Sequence, residues 1–392
     1  MSTPPDRTHR LSELVSSLVR IESENPPGDE GECAVFVRDW LRSEGVDAEL
    51  IDRPYPDRPQ VAAAVGHGEP TVVLNGHLDT VPAGDPDRWR QPPYGGERVD
   101  GAVYGRGSAD MKAGLAVAML LLADRSEWFD PGDGTIVFHG AIGEETGEPG
   151  TKALLEAGYD GDYGVVLEPT DFRVATRAKG LVCYRLRVRG EASHASRPDQ
   201  GDNAVLRSQP LIAAIREYDR ELRTRTDELV GTAYANVTEF AADVGGNLGV
   251  LPEEAELVLD RRVLPGESID DVEAEVTALV ADVEAEHGTD VTVEEIQRYA
   301  PAAVPTECRL AELFRSHTDD YREGVESPWG IEAATDVRNL VHDAGMEAIT
   351  WGPGRLAEAH TVDEHVSCAA VEDGFEILRD ALSALFAGDD RS

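Results

Sequence analysis

The segment Gly76-His77-Leu78-Asp79-Thr80-Val81-Pro82 follows the short apolar run 71–74 after a single residue. On a β-strand, residues two apart point to the same side. The imidazole of His77 and the carboxylate of Asp79 are therefore expected to converge where the strand ends. Open α/β sheets bind their ligands at that end of their strands. A histidine with a carboxylate behind it suits a metal site, although a buried histidine bonded to a nearby aspartate is also common without a metal.

The composition narrows the classes of protein to which the chain can belong. Its 392 residues suffice for two or three domains, and its net charge of −40 comes from 76 acidic and 36 basic residues. This charge opposes binding to nucleic acids and to anionic membranes. No apolar run has the length needed to span a bilayer. The four cysteines form no CxxC pair, which argues against a thiolate zinc site or a disulfide framework.

The charge and the start of the chain also bear on its surroundings. Residues 1–6 lack the basic and apolar regions of a signal peptide, so we expect a cytoplasmic protein. Self-repulsion among so many acidic side chains destabilises a fold at low salt, and concentrated salt screens it. We therefore hypothesise a high-salt cytoplasm. Lysine occurs only at Lys112, Lys152 and Lys179, so the other basic residues are arginines.

The pattern of apolar residues predicts a catalytic domain that is interrupted by an insertion. Apolar strand-like runs alternate with helical patterns in residues 1–178, which predicts a mainly parallel sheet covered by helices. Residues 179–298 follow the order β-α-β-β-α-β of a ferredoxin-like α+β domain. Residues 299–392 contain too few strands for a sheet of their own. We therefore expect them to complete the first domain.

Further acidic and imidazole side chains stand near predicted strand ends or in nearby loops. They are Asp110, Glu144, Glu145, Glu168 and His360. Each has an ordinary structural explanation by itself, such as a helix cap for Asp110 or a solvated turn for the adjacent glutamates. With one glutamate counted from the adjacent pair, they and His77 offer three carboxylates and two imidazoles at one rim, a donor set that suits Zn²⁺, Co²⁺ or Mn²⁺. Five ligands exceed the needs of one catalytic zinc, so we expect two divalent ions.

The motifs that contain these residues carry a resemblance over nearly the whole chain. They read GHLDTVP (76–82), YGRGSADMKAGLA (104–116), GEE (143–145), LEP (167–169) and AHTVDE (359–364). In order and separation they resemble the di-zinc amidohydrolase family of acetylornithine deacetylase, succinyl-diaminopimelate desuccinylase, carboxypeptidase G and the aminoacylases. The resemblance implies a zinc exopeptidase-like catalytic domain with an inserted lid domain.

The resemblance also implies a role for each residue of the cluster. It implies that His77 and Glu168 bind one metal ion, that Glu145 and His360 bind the other, and that Asp110 bridges the two. It further implies that Asp79 orients His77, that Glu144 is the general base, and that the Asp110–Met111 peptide bond is cis.

The inserted segment contains pieces that resemble the family as well. GEASHASRP (190–198) resembles a lid motif whose histidine, here His194, steadies the oxyanion, often from a partner subunit. The resemblance therefore implies a homodimer through the inserted domain. DRRVLP (260–265) resembles a motif whose arginine, here Arg262, holds a substrate carboxylate, for which a guanidinium fork is suited. Thr335-Asp336-Val337-Arg338 resembles a family segment near the site.

One position departs from the family. Gly249 stands where family members commonly carry an asparagine that binds substrate, and Asn247 is the candidate to replace it through a shifted loop. Otherwise one substrate hydrogen bond is missing.

The resemblance implies hydrolysis of a small N-acyl amino acid, with removal of an acetyl or succinyl group. The alternatives are a dipeptidase or carboxypeptidase, which would cleave a dipeptide beside its carboxylate, and a non-catalytic metal-binding relative. The stretch 85–94 and the glutamate at position 168 resemble the deacylase branch. Retention of Glu144 argues against a non-catalytic relative.

Overall fold

A computed structural model describes residues 7–242, 244–319, 321–322 and 324–388. The chain divides into two compact units. The first unit lies within Met1–Arg177, Ala303–Ile331 and Thr335–Ser392, and the second comprises Ala178–Ala302 with Glu332–Ala334.

Helices and strands alternate along most of the chain. The α-helices are α1 (Arg7–Val19), α2 (Gly31–Ser43), α3 (Ala113–Ala123), α4 (Gly150–Glu156), α5 (Ala204–Arg207), α6 (Gln209–Leu222), α7 (Ile269–His287), α8 (Arg309–Asp319), α9 (Val337–His342) and α10 (Cys368–Phe386). The strands are β1 (Ala48–Ile51), β2 (Gln60–Gly66), β3 (Thr71–His77), β4 (Glu97–Val99), β5 (Ala102–Tyr104), β6 (Thr135–Ala141), β7 (Tyr163–Val166), β8 (Ala175–Ala178), β9 (Gly180–Arg189), β10 (Thr226–Asp227), β11 (Gly231–Thr232), β12 (Tyr234–Ala241), β13 (Glu254–Val263), β14 (Val291–Tyr299), β15 (Ala302–Ala303), β16 (Trp329–Ile331), β17 (Glu347–Thr350) and β18 (His365–Ser367).

The main sheet of the first unit is mixed. Its order is β1-β2-β6-β3-β7-β17-β8-β15, and β16 pairs with β8. The central strands β6, β3, β7 and β17 are parallel, whereas β1, β2 and β8 join antiparallel. The prediction of an α/β fold is confirmed, but the prediction of a mainly parallel sheet holds only for its centre. Short outer strands such as β8 do not reveal their direction by apolar pattern.

The core of the first unit forms around α3. Its residues from Ala113 to Leu122 are all buried, and α1 and α10 pack against it. A helix that is apolar on every side must be enclosed by other elements. Because α3 begins just after Asp110, this packing fixes the position of that carboxylate relative to the sheet.

The second unit has an antiparallel sheet of order β12-β13-β9-β14. Its main elements follow one another as β9, α6, β12, β13, α7 and β14, the order of a ferredoxin-like fold. Along β9 the buried Val182, Tyr184, Leu186 and Val188 alternate with more exposed residues. Among the latter, Arg185 and Arg187 share Glu256 at 2.9 and 2.8 Å. The alternation places apolar residues on one face and a charged network on the other.

Two of the lysines are enclosed. Lys112 is fully buried and donates to the carbonyl oxygen of Ile21 at 2.8 Å, and burial lowers its pKa. Lys179 is 1% exposed, and its ammonium group lies 3.2 Å from the carboxylate of Glu332, which joins Glu332 to the second unit. The side chain of Lys152 is 47% exposed.

Among the helices of the described ranges, we find none whose length and apolar character would allow it to cross a bilayer.

Substitution of Gly114 in α3 tests how tightly this helix packs against the residues around Leu167. A Cβ atom at this position would lie 2.3 Å from the carbonyl oxygen of Leu167, so Gly114→Ala should destabilise the protein by about 1–3 kcal/mol despite the better helix propensity of alanine. Gly31→Ala in α2 is the matched control, because its nearest neighbour, Cδ of Pro59, is 3.9 Å away. Urea denaturation of both variants at one salt concentration measures the effect. A Gly114→Ala protein as stable as the control would contradict this packing.

Candidate active site

His77 lies at the end of β3, where the sequence predicts a ligand. Its Nδ1 is 2.9 Å from the backbone carbonyl oxygen of Asp79 and 3.6 Å from the carboxylate of the same residue. A carbonyl oxygen only accepts hydrogen bonds, so Nδ1 donates. In the neutral ring this leaves the lone pair of Nε2 for a metal ion. Asp79 thus contacts the ring through its main chain, and its carboxylate is engaged elsewhere.

The carboxylate of Asp79 holds the segment after β6. Its two oxygens accept hydrogen bonds from the backbone amides of Glu144 at 3.2 Å and Glu145 at 3.1 Å. The side-chain amide of Asn25 donates to the same carboxylate at 3.1 Å. Asp79 therefore ties the end of β3 to the two glutamates of the GEE motif.

Asp110 lies between the two imidazoles of the predicted cluster. Its Oδ1 is 3.2 Å from Nε2 of His77, and its Oδ2 is 3.4 Å from Nε2 of His360. The Asp110–Met111 peptide bond is cis, as the resemblance implies. A carboxylate that presents one oxygen to each of two histidines has the arrangement of a bridging ligand.

The remaining predicted ligands surround Asp110. His360 also approaches a carboxylate oxygen of Glu145 at 3.0 Å, and Glu168 lies 3.9 Å from Nε2 of His77. The ligand atoms of His77, Asp110 and Glu145 all lie within 4.8 Å of one another. The structure thus brings together the five side chains that the sequence predicts as ligands.

The chemistry of this cluster fits divalent cations. Burial raises the pKa of Glu144, Glu145 and Glu168, because a charged carboxylate loses its hydration there. Hydrogen bonds with Asp110 and Glu145 raise the pKa of His360 to about 10. Carboxylates and imidazoles gathered in a buried space provide the oxygen and nitrogen donors that Zn²⁺, Co²⁺ or Mn²⁺ accept. Cations bound there would offset the negative charge.

Glu364 is a buried carboxylate for which the sequence predicts no role. It accepts hydrogen bonds from the backbone amides of Ala109 at 2.9 Å and Asp110 at 3.1 Å, and it pairs with Arg106. It follows His360 by four residues and so connects the segments of two predicted ligands. Its place in the AHTVDE motif was the available signal, but its partners lie more than 250 residues away.

Behind Glu144 lies a buried polar network. A guanidinium nitrogen of Arg338 is 3.8 Å from the carboxylate of Glu144, and another is 3.1 Å from Asp336. Asp336 accepts a hydrogen bond from Thr151 at 2.6 Å. The segment 335–338 is associated with the site in the sequence only by resemblance. In the structure it places the guanidinium group of Arg338 beside the predicted base.

The other predicted site residues belong to the second unit. His194 is exposed, and its Nδ1 accepts a hydrogen bond from the backbone amide of Ser196 at 3.1 Å. A neutral ring that accepts at Nδ1 carries its proton on Nε2, which can donate. Asn247 is exposed and accepts from the amide of Gly249 at 3.0 Å.

The two arginines of the DRRVLP motif differ in their surroundings. Arg261 is fully buried and contacts Tyr218 at 3.1 Å and Glu267 at 2.7 Å. The side chain of Arg262 is 25% exposed, and its Nε lies 2.9 Å from Asp260. Arg261 is therefore structural, and Arg262 keeps an accessible side.

The sequence of this chain is similar to a known protein family and to a curated relative. Residues 73–384 match the model of peptidase family M20/M25/M40. A probable succinyl-diaminopimelate desuccinylase of Staphylococcus aureus (strain MSSA476) is 26% identical over 380 residues, which cover 90% of this chain and 92% of that protein.

Two solved structures share the fold at low identity. An M20 family metallo-carboxypeptidase from Sulfolobus solfataricus has a TM-score of 0.80 and 15% identity, with 96% of this chain and 99% of that one covered. A dinuclear metal-binding peptidase of the M20 family from Bacillus subtilis has a TM-score of 0.65 and 16% identity, with 97% and 99% covered. The family match spans well over half of the sequence and confirms the resemblance carried by the motifs. The chain belongs to peptidase family M20/M25/M40.

Proposed function

We propose that the protein is a metal-dependent amidohydrolase that removes an N-acetyl or N-succinyl group from an amino-acid-like substrate. The main support is the position of Asp110, which presents one carboxylate oxygen to His77 and the other to His360. In this proposal His77 and Glu168 would hold one divalent ion and Glu145 and His360 the other, with Asp110 as the ligand available to both. Zn²⁺ is the expected ion, with Co²⁺ or Mn²⁺ as alternatives.

Glu144 is the general base in this proposal. Divalent ions held by these residues would supply Lewis acidity, which lowers the pKa of a water molecule toward about 7. Glu144 accepts the proton of the attacking water and later gives it to the leaving amine, so the amide C–N bond is replaced by a C–O bond. Its burial and raised pKa suit a group that must both take and return a proton.

Two residues of the second unit complete the proposed mechanism. The Nε2–H of His194, from this chain or from a partner subunit, donates to the carbonyl oxygen as it gains negative charge. Arg262 binds the carboxylate of the amino-acid portion through its accessible side. Asn247 is a weaker candidate for substrate binding, because its side-chain oxygen already accepts from Gly249. A homodimer through the second unit and a high-salt cytoplasm remain parts of the proposal.

A second candidate function is a carboxypeptidase or dipeptidase. The relative named as a desuccinylase favours deacylation, whereas the solved structure from Sulfolobus solfataricus is named as a carboxypeptidase. Both activities cleave an amide near a carboxylate, so the metal cluster suits either.

Hydrolysis of a substrate panel tests the function. We expect release of free amine from N-acetyl- or N-succinyl-amino acids to exceed cleavage of dipeptides, to stop with a chelator, and to return with Zn²⁺, Co²⁺ or Mn²⁺.

The same panel also tests the high-salt hypothesis. It is run in concentrated KCl and at ~0.1 M KCl, where the Debye length is ~10 Å. Equal activity and stability at both concentrations would contradict the high-salt hypothesis. Failure to hydrolyse any member of the panel with any of these ions would reject the amidohydrolase.

Glu144→Gln separates catalysis from metal binding. Loss of the base should lower kcat by about 10²–10⁴-fold while the bound metal, measured by elemental analysis, stays at the wild-type level. Glu156→Gln at the exposed end of α4 is the control and should keep full activity. Substantial turnover by the Glu144→Gln protein would show that another group accepts the proton.

His194→Ala tests the proposed oxyanion donor. Its removal should raise the activation barrier by about 2.7–4 kcal/mol, measured as a fall in kcat. His287→Ala, which removes an exposed histidine of the second unit, serves as the control. An unchanged kcat in the His194→Ala protein would exclude that role.

A further inference from the structure

The two glutamates of the GEE motif stand on a short closed loop. This glutamate loop, residues 143–148, follows β6. The backbone amide of Glu148 donates to the carbonyl oxygen of Gly143 at 2.8 Å, and the amide of Gly147 donates to that of Glu144 at 3.1 Å. Gly143 has a φ of 76°, and a Cβ atom there would lie 2.5 Å from Cβ of Glu148. The loop therefore folds back on itself, with Glu148 packed against its start.

Asn25 secures one side of the glutamate loop. Its side-chain amide donates to Asp79 at 3.1 Å and to the hydroxyl of Thr146 at 2.7 Å. Asp79 in turn accepts the backbone amides of Glu144 and Glu145. One buried amide group thus joins the loop to the strand end that carries His77.

Arg58 secures the other side through two carboxylates. Its Nε donates to Glu30 at 2.9 Å, and its Nη1 donates to Glu148 at 2.8 Å, while Nη2 contacts both. Glu30 is fully buried just before α2, and the side chain of Arg58 is 17% exposed. Through this fork the far end of the glutamate loop is bound to α2.

These contacts bind the backbone of the glutamate loop and the side chains of Thr146 and Glu148. They do not involve the carboxylates of Glu144 and Glu145. Enclosing charged side chains costs hydration, so such a network adds less to stability than its short distances suggest. A charged fork with fixed geometry does, however, restrict where the loop can lie. An error of about 1 Å in the position of a catalytic group can cost 10²-fold in rate.

We propose that Arg58 and Asn25 are positioning residues that hold the glutamate loop, and with it Glu144 and Glu145, at a fixed distance from the metal-binding side chains. This inference rests on the proposed function for the role of Glu144. It also concerns Glu145, whose proposed part is to bind metal, so the effect can be measured as metal affinity without a substrate.

Arg58→Gln is the principal test. The variant should bind Co²⁺ alone 10–100-fold more weakly in a calorimetric titration, and its kcat should fall by a similar factor with KM changed less than kcat. Arg10→Gln is the matched control, because Arg10 in the same unit also joins two carboxylates, Asp124 at 2.8 Å and Glu44 at 3.5 Å. The control should keep the wild-type Co²⁺ affinity and kcat. If the two variants bind Co²⁺ and turn over alike, the proposal is wrong.

A milder pair of changes covers the case in which Arg58→Gln does not fold. Glu148→Gln keeps the shape of the side chain and removes its charge, and Asn25→Asp keeps the shape and removes the donor to Asp79. Each should weaken Co²⁺ binding about tenfold or more. Wild-type Co²⁺ affinity in both folded variants would overturn the positioning role.

The double variant Arg58→Gln/Glu148→Gln tests whether the two residues act together. Its loss of Co²⁺ affinity should be no larger than that of Arg58→Gln, since both changes break one contact. Losses that multiply would contradict a shared role. If the wild-type protein binds Co²⁺ but hydrolyses nothing, the proposed function fails while these affinities still decide on the positioning residues.

Discussion

The concentration of negative charge in one small buried space is the constraint on which the first unit depends. The loops after β6 and β7 and the segment before α3 bring Asp110, Glu144, Glu145 and Glu168 together, and all are largely withdrawn from water. An uncompensated carboxylate in such surroundings is costly. In the structure the imidazole of His77 lies 3.2 Å from the carboxylate of Asp110, and that of His360 lies 3.0 Å from Glu145. The two rings thus interact with part of this negative charge. The donor set is also the one that a pair of divalent cations would use.

The same means of support occurs twice around this cluster. Asp79 accepts the amides of Glu144 and Glu145, and Glu364 accepts those of Ala109 and Asp110. In each case a carboxylate outside the predicted ligand set accepts hydrogen bonds from two consecutive backbone amides of a segment that contains a predicted ligand. Such support restricts where the predicted ligands can point, which would keep the cost of ordering them around an ion low.

Much of this site could be predicted from the sequence, because the predicted ligands lie close in sequence to apolar strands or within short motifs. His77 ends the apolar strand β3, Glu168 comes just after β7, and the GEE motif lies just beyond β6. Strand pattern and motif order therefore suffice to place them on one rim. The β-α-β-β-α-β order of the second unit was readable for the same reason, because its strands are long.

The unpredicted parts depend on distant partners. The antiparallel pairings of β2 with β6 and of β8 with β17 join segments far apart in the chain. The buried contacts of Glu364, Arg58 and Arg338 do the same. No residue pattern near Arg58 distinguishes it from the many arginines that balance surface acids. Asp79 shows a related limit. The sequence predicts that it lies near His77, but not that the hydrogen bond of Nδ1 goes to its carbonyl oxygen at 2.9 Å while its carboxylate lies at 3.6 Å.

The scarcity and burial of lysine have a practical consequence for handling this protein. With Lys112 and Lys179 enclosed, Lys152 is the lysine whose amine faces solvent in the folded chain. Reagents that couple to primary amines, such as succinimidyl dyes or activated resins, would attach to lysine at this position and leave the candidate active site unmodified. Lys152 lies in α4, next to the buried Thr151 of the network behind Glu144. A fluorophore placed there would report on that network from outside.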